Sequence, residues 1–176
     1  MIVTKKRIGL LLALAIIVVG YILPESLQIP VQGAATSDWN ENTFWYAPWG
    51  KSGVHKGIDI FSEKGRASTA PTHGVVLYAG TFARGGKVVI LLGPKWRLHY
   101  LAHLDSFKVR AFTAVRSGEI IGSVGDSGNA KNKPPHLHYS IVTLIPYLWR
   151  FDSSTQGWKK IFYLDPNTRL RAASRI

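Results

Sequence analysis

Short runs of β-favouring residues, separated by glycine-containing turns, fill the chain from about residue 44 onward and limit the folds open to it. Many short strands with turn residues between them, and no long amphipathic helix, predict a single all-β domain. The predicted strands are residues 75–78, 87–92, 97–101, 119–124 and 136–142.

The N-terminal region has the layout of an export signal. Lys5, Lys6 and Arg7 precede residues 8–23, a run of 16 uncharged residues rich in Leu, Ile, Val and Ala. Basic residues before such a run are typical of a secretory signal or a signal anchor. Residues 1–24 are therefore predicted to be an uncleaved single-pass anchor in contact with the membrane, with a cleaved signal and secretion as the alternative. In both cases the rest of the chain is predicted to lie outside the cytoplasm, in the bacterial cell envelope (the periplasm).

Three segments follow the N-terminal region. Residues 25–43 contain prolines, glycine and small polar residues without apolar periodicity, and are predicted to be a linker. Residues 44–148 form the β domain, and residues 149–176 are predicted to be a C-terminal arm packed on it. Tryptophans near the start of the domain are predicted to pack in the core, with the rim of a groove as the alternative. They are Trp39, Trp45 and Trp49.

Composition restricts the chemistry of any site. The 176 residues contain no Cys, so a metal site has to be built from His, Asp and Glu. The formal net charge of +12, of which +9 remains without the three basic residues 5–7, favours acidic partners. A nucleic-acid binder would also be basic, but an exported domain meets little nucleic acid, and no nucleic-acid partner is predicted.

The spacing of the histidines indicates a metal site. His55 and Asp59 are four residues apart, so on a strand both side chains would lie on one face. His136 and His138 flank Leu137, which puts both imidazoles on one face and Leu137 in the core. Two such strands side by side would bring three or four ligand-type groups into one pocket. Two His and one Asp with an open fourth position are typical of a catalytic zinc site rather than a structural one.

Three motifs in this order resemble the M23 peptidases, the lysostaphin-type zinc endopeptidases of bacterial cell walls. They are a His-x-Gly-x-Asp motif at residues 55–59, Ala102-His103-Leu104, and His136-Leu137-His138. The resemblance covers about residues 45–142. It implies an all-β fold, an antiparallel β-sheet sandwich of the M23 type, preceded here by a single N-terminal hydrophobic helix.

The resemblance also implies the roles of five residues. His55, Asp59 and His138 are expected to bind Zn²⁺, which polarises a peptide carbonyl and lowers the pKa of its bound water toward ~7. His103 and His136 are expected to stand beside the metal without binding it. His136 is predicted to be the general base and His103 its partner or the stabiliser of an oxyanion, with the division of roles left open. The implied activity is hydrolysis of peptide bonds in the cross-links or stem peptides of peptidoglycan.

A second function follows from the same resemblance. Some M23-like domains lose their ligands and act as wall-binding proteins or activators of other hydrolases, and a regulatory protein partner stays open. The complete set of ligand positions in this chain disfavours that alternative. Of the two remaining histidines discussed, His99 is predicted to lie on the surface, with the cleft as the alternative, and His73 in a turn.

Overall fold

The computed structural model describes residues 5–173, and two helices and nine strands lie in that part of the chain. Residues 1–4 and 174–176, at the ends of the predicted anchor and of the predicted arm, lie outside it. The helices are α1 (Lys5–Ile22) and α2 (Pro166–Ala173). The strands are β1 (Ile58–Phe61), β2 (Ala67–Thr69), β3 (Gly74–Phe82), β4 (Gly86–Gly93), β5 (Arg97–Phe107), β6 (Ala114–Val115), β7 (Ile120–Val124), β8 (His136–Thr143) and β9 (Tyr163–Leu164).

All nine strands belong to one antiparallel sheet. The main path runs β1-β8-β5-β4-β3-β6, with β9 beside β8 and with β7 between β2 and the end of β5. The prediction of a mostly antiparallel all-β domain with one N-terminal helix is confirmed. The predicted sandwich is not confirmed, because the described strands are hydrogen-bonded into one continuous sheet.

Strand β5 changes its neighbour halfway along its length. Residues 97–102 pair with β8, whereas residues 104–107 pair with β7. Between the two halves, His103 has a φ of 65°, in the left-handed region that few non-glycine residues adopt. This residue breaks the alternation of faces, so His99 and His103 lie on opposite faces although they are four residues apart. The prediction that His99 lies on the surface or in the cleft is therefore wrong, since its side chain is fully buried.

One face of the sheet carries the core. Alternate residues of β1, β5 and β8 lie on it, among them Ile58, Leu101 and Leu137, each without exposed surface. Burying a side chain of this size stabilises a fold by about 1.5–3 kcal/mol. The predicted linker adds Val31 and Trp39 to this core, and the predicted arm adds Leu164 and Leu170. Residues 25–43 thus pack on the domain, and the Trp39 indole donates to Asn167 Oδ1 over 2.9 Å.

The N-terminal helix lies against the turn between β4 and β5. The Trp96 indole in that turn donates to the Ile17 carbonyl over 2.8 Å, and Gly20 packs on the same ring. Most large apolar side chains of α1 are exposed, including Leu10 and Ile16. Within residues 5–173, no helix is both long enough and apolar enough to cross a membrane. The membrane contact predicted for residues 8–23 and the predicted export stay predictions.

A buried charged network lies beneath the sheet, where the N-terminal segment meets β5. The Glu25 carboxylate is paired with Arg97, and both side chains are about 95% buried. The Arg169 guanidinium from α2 lies 3.9 Å from the same carboxylate. His99 completes the network, with Nδ1 2.8 Å from the Tyr139 hydroxyl and Nε2 3.6 Å from Glu25 Oε1. The network joins three separate parts of the chain to the back of β5.

The charge balance of this network makes the stability of the fold depend on the protonation of His99. Burial, with the nearby guanidinium groups of Arg97 and Arg169, lowers the pKa of His99 from 6.5 to about 3. The single carboxylate of Glu25 faces two guanidinium groups, so a proton on His99 would add to an existing excess of positive charge. The unfolded chain binds this proton below about pH 6.5 and the folded chain does not, so stability is lost as the pH falls from 6.5 toward 3.

We expect the substitution His99→Gln to flatten the pH dependence of stability. Between pH 6 and pH 4 the wild-type free energy of unfolding should fall faster than that of the variant, by at most about 1.4 kcal/mol per pH unit. Urea unfolding at a series of pH values measures this difference. The control is His73→Gln, which removes an exposed histidine in a turn. Parallel curves for wild type and His99→Gln would contradict the assignment.

Candidate metal centre and active site

Three candidate metal ligands come together on the face of the sheet opposite the core. Asp59 on β1 is paired directly with His138 on β8, so their side chains leave the sheet side by side. His55 lies before β1, not on it as the spacing predicted. The Trp45 backbone N–H donates to the His55 carbonyl over 2.7 Å, and the His55 N–H donates to the Tyr46 carbonyl over 3.0 Å. This pairing turns the His55 ring toward the other two side chains.

The three candidate ligand atoms form a small triangle. His55 Nε2 lies 3.1 Å from Asp59 Oδ1 and 3.1 Å from His138 Nδ1, and the last two atoms are 2.8 Å apart. Ligand atoms of a tetrahedral zinc ion, bound at 2.0–2.1 Å, are about 3.3 Å apart. The triangle is thus close to the size that such an ion requires. Within residues 5–173, these are the three side chains grouped closely enough to hold a metal ion.

Hydrogen bonds outside the triangle orient both imidazoles. His55 Nδ1 lies 3.1 Å from the Thr43 carbonyl, so Nδ1 carries the proton and Nε2 faces the triangle. His138 Nε2 lies 3.0 Å from Ser140 Oγ, which leaves Nδ1 as the atom that faces Asp59. When the proton of His138 lies on Nε2, where Ser140 Oγ can accept it, two nitrogen lone pairs and a carboxylate oxygen point at one another. Such a group is repulsive unless a cation lies among them, and this is the arrangement of metal-binding histidines.

The charge states of the triangle suit a divalent cation. Burial opposes ionisation of Asp59, but the contacts of its carboxylate with the His138 and His55 side chains hold the pKa of that carboxyl well below its usual range. Burial lowers the pKa of His138, although Asp59 acts in the opposite direction. At neutral pH Asp59 is therefore a carboxylate and His138 a neutral imidazole, which are the forms that bind a metal ion.

Two further histidines stand beside the triangle. The rings of His103 and His136 are 5.0 Å apart, and the His103 ring is 6.0 Å from that of His138. His103 Nδ1 donates to the Ser127 carbonyl over 2.9 Å, and His136 Nδ1 donates to the Pro134 carbonyl over 2.8 Å. In both rings Nε2 is therefore the nitrogen that can accept a proton when the imidazole is neutral. Burial lowers the pKa of His103 to about 4, so this imidazole is neutral at pH 7.

All five predicted site residues therefore lie in one pocket, three as a triangle and two beside it. The loop of residues 125–135 supplies the two carbonyls that orient His103 and His136. The other residues with predicted positions lie elsewhere, His99 under the sheet and His73 in an exposed bend.

Aromatic rings and a hydroxyl complete the pocket, and the sequence did not single out their roles. The Trp49 ring stacks on His55 at 4.1 Å, which places this residue at the site, whereas Trp39 is in the core. Tyr100 lies edge-on to His138 at 6.2 Å, and burial raises the pKa of its hydroxyl to about 12, so it stays a hydrogen-bond donor at neutral pH. Ser140 lies two residues after His138 on β8. The two-residue alternation that relates His136 to His138 is therefore the sequence signal that places Ser140 on the same face.

Gly57 allows β1 and β8 to approach closely beside the triangle. A Cβ atom at this position would lie 2.4 Å from the Tyr139 carbonyl, 2.6 Å from Ser140 Oγ and 3.0 Å from a carbon of the His138 ring. The obstacle is backbone as well as side chain, so the strand would have to move. The glycine of the His-x-Gly-x-Asp motif is thus required by packing against β8.

We expect Gly57→Ala to reduce metal affinity and stability together. The added methyl group would separate the segment before β1 from β8 and so move His55 and Asp59 away from His138. Zinc titration and thermal unfolding of the variant measure the two effects. Gly9→Ala is the control, because nothing lies within 4 Å of a Cβ there. Wild-type zinc affinity in Gly57→Ala would contradict the packing argument.

The fold and the site together define a β-sheet domain with a candidate mononuclear metal centre, and comparison with known proteins gives its family. Residues 53–146 match Peptidase family M23, and the chain belongs to this family. The resemblance inferred from the three motifs is confirmed.

Two curated relatives indicate what such domains do. The chain is 31% identical over 148 residues to the L-Ala--D-Glu endopeptidase of Bacillus subtilis (strain 168), covering 79% of this chain and 42% of that relative. It is 37% identical over 90 residues to the murein hydrolase activator NlpD of Salmonella dublin, covering 51% of this chain and 23% of that relative. The chain thus spans less than half the length of either relative.

The fold also matches a solved structure. The catalytic domain of the antimicrobial peptidase lysostaphin from Staphylococcus simulans superposes with a TM-score of 0.59 and 24% sequence identity. The match covers 77% of this chain and 95% of the lysostaphin domain. The overall fold is therefore of the lysostaphin type.

Proposed function

We propose that this protein is a zinc-dependent endopeptidase that hydrolyses peptide bonds in bacterial peptidoglycan. The observation that carries the proposal is the triangle of His55, Asp59 and His138, with His103 and His136 beside it. Membership of the M23 family and the similarity to an L-Ala--D-Glu endopeptidase support a peptide of peptidoglycan as the substrate.

The side chains suit the steps of peptide hydrolysis. His55, Asp59 and His138 would hold Zn²⁺, which when bound supplies Lewis acidity toward a carbonyl and lowers the pKa of water. His136, with Nδ1 fixed on a backbone carbonyl, accepts the proton of the attacking water at Nε2. His103 is fixed in the same way, so that its Nε2 can share that proton. The Tyr100 hydroxyl, as a protonated donor in the pocket, can hydrogen-bond to the oxygen on which negative charge develops.

A second candidate function is binding to peptidoglycan without cleavage. The similarity to a murein hydrolase activator favours it. A protein that only binds has no need of two proton-accepting histidines oriented beside a set of metal ligands. The complete group of five residues therefore favours hydrolysis as the first proposal.

The first test is cleavage of purified sacculi by the purified full chain. We expect zinc-loaded protein to release new amino termini and soluble muropeptides, and a chelator such as 1,10-phenanthroline to abolish the release. Zinc added back should restore it. Binding to sacculi without release of fragments, at equal zinc occupancy, would favour the second candidate function.

The second test separates metal binding from proton transfer. We expect His138→Ala to lose zinc, measured by elemental analysis, because it removes one corner of the triangle. We expect His136→Ala to retain one zinc per chain and to lose at least about 100-fold in kcat, since general-base assistance contributes about 10²–10⁴. Loss of zinc from both variants alike would refute the assignment of His136 as a residue that does not bind the metal.

A further inference from the structure

A short turn next to the candidate metal centre gathers three positive side chains. The turn is Gly50–Ser52, and its backbone carbonyls accept hydrogen bonds from the side chains around it. Lys56 Nζ donates to the Ser52 carbonyl over 3.1 Å, and Arg84 Nη1 reaches the Lys51 carbonyl over 3.5 Å. These contacts bring together a residue of the His-x-Gly-x-Asp motif and the tip of the β3–β4 hairpin.

The third cation comes from the C-terminal arm. Gln156 Nε2 donates to the same Ser52 carbonyl over 2.9 Å, and Lys159 Nζ donates to Gln156 Oε1 over 2.9 Å. A second contact fixes the arm at this place, since the Trp45 indole donates to the Thr155 carbonyl over 3.1 Å. We call Lys56, Arg84 and Lys159 the cation cluster.

The cation cluster lacks an acidic counterpart. Of the carboxylates in residues 5–173, none is within ion-pair distance of these three side chains, and their hydrogen bonds go to neutral oxygens. Two other lysines of the domain do have acidic partners, Lys64 in Asp126 and Lys160 in Asp152. Like charges held together repel one another, and an anion among them would remove that repulsion.

The cluster adjoins the pocket. Lys56 directly follows the candidate ligand His55, and the turn directly follows Trp49, whose ring stacks on that histidine. Arg84 precedes Gly85, which packs against the Tyr100 hydroxyl and whose carbonyl accepts from the His103 backbone over 2.8 Å. A peptide bound with its scissile bond at the triangle would therefore pass the cation cluster within a few residues.

We propose that the cation cluster binds a carboxylate of the peptide substrate and so selects acidic stem peptides over uncharged ones. The inference rests on the proposed function for the location of the substrate. Two or three cations around one carboxylate give charge-assisted hydrogen bonds, which are about twice as strong as neutral ones. Lys159 lies beyond residues 53–146, the part that matches the family, so this selectivity depends on the chain's own C-terminal arm.

The test compares two peptides that differ in one group. One is a peptidoglycan stem peptide with a free α-carboxylate on its glutamyl residue, and the other is the same peptide with that group amidated. Binding is measured by calorimetry on the zinc-loaded full chain carrying His136→Ala, so that the peptide is not consumed. We expect the carboxylate peptide to bind about 10-fold more tightly, with the difference shrinking as salt is raised.

The charge variants give the matched comparison. Arg84→Gln with Lys159→Gln, added to the same background, should bind both peptides equally. Lys108→Gln with Arg110→Gln removes the same charge from exposed positions at the end of β5 and should preserve the 10-fold preference. Lys56 is left unchanged because it adjoins a candidate ligand. Zinc content is checked in every variant, so a damaged site would be recognised.

The outcomes separate this inference from the proposed function. Equal binding of both peptides by the parent protein, while the protein without His136→Ala cleaves sacculi, overturns the inference and leaves the proposed function standing. A carboxylate preference lost only in the Arg84 and Lys159 variant supports the inference, even where cleavage is absent and the proposed function fails. Equal binding of the two peptides together with competition by inorganic phosphate would assign the cluster to a phosphate-bearing ligand and also overturn the inference.

Discussion

The pairing of β1 with β8 is the interaction on which the site depends. It sets Asp59 opposite His138, and it is close enough only because Gly57 lacks a side chain against the Tyr139 carbonyl. The same pairing buries Ile58 and Ile60 on the other face. Core packing therefore fixes the distance between two candidate ligands, and the positions of these groups are determined before any metal is bound. Preorganisation of this kind lowers the free-energy cost of binding an ion.

The left-handed conformation of His103 connects the two faces of the sheet. The alternation of side chains along β5 reverses at His103. As a result, His99 in the first half of the strand lies in the buried network, whereas His103 lies on the face that carries the site. The strained backbone is held by a hydrogen bond to the Gly85 carbonyl and by the change of partner from β8 to β7. Glu25, Arg97 and Arg169 fix the strand from below. A conformation that costs about 1–3 kcal/mol on its own persists because its surroundings determine it.

The sequence predicted the parts of this arrangement that follow a local period. The two-residue alternation placed His136 and His138 on one face, and the β-rich runs located five of the strands. It failed where a single backbone angle changes the period, as at His103, so His99 was assigned to the wrong environment. It did not predict the burial of Val31 within residues 25–43, because that burial depends on contacts with residues far along the chain. The imidazoles are oriented by hydrogen bonds that they donate to the backbone carbonyls of Thr43, Ser127 and Pro134. Every residue type has such a carbonyl, so these contacts cannot be predicted from the sequence.

The proposed chemistry and the proposed selectivity rest on different kinds of structure in this protein. Asp59 and His138 are fixed by strand pairing, where a shift of one residue would turn both side chains into the core. The cation cluster is assembled by single hydrogen bonds from a hairpin tip, a motif residue and the C-terminal arm to one short turn. A substitution at Arg84 or Lys159 changes charge beside the pocket without disturbing a strand pair. The surroundings of the pocket can therefore change while Asp59 and His138 stay paired, because neither of these two side chains depends on the loops for its register.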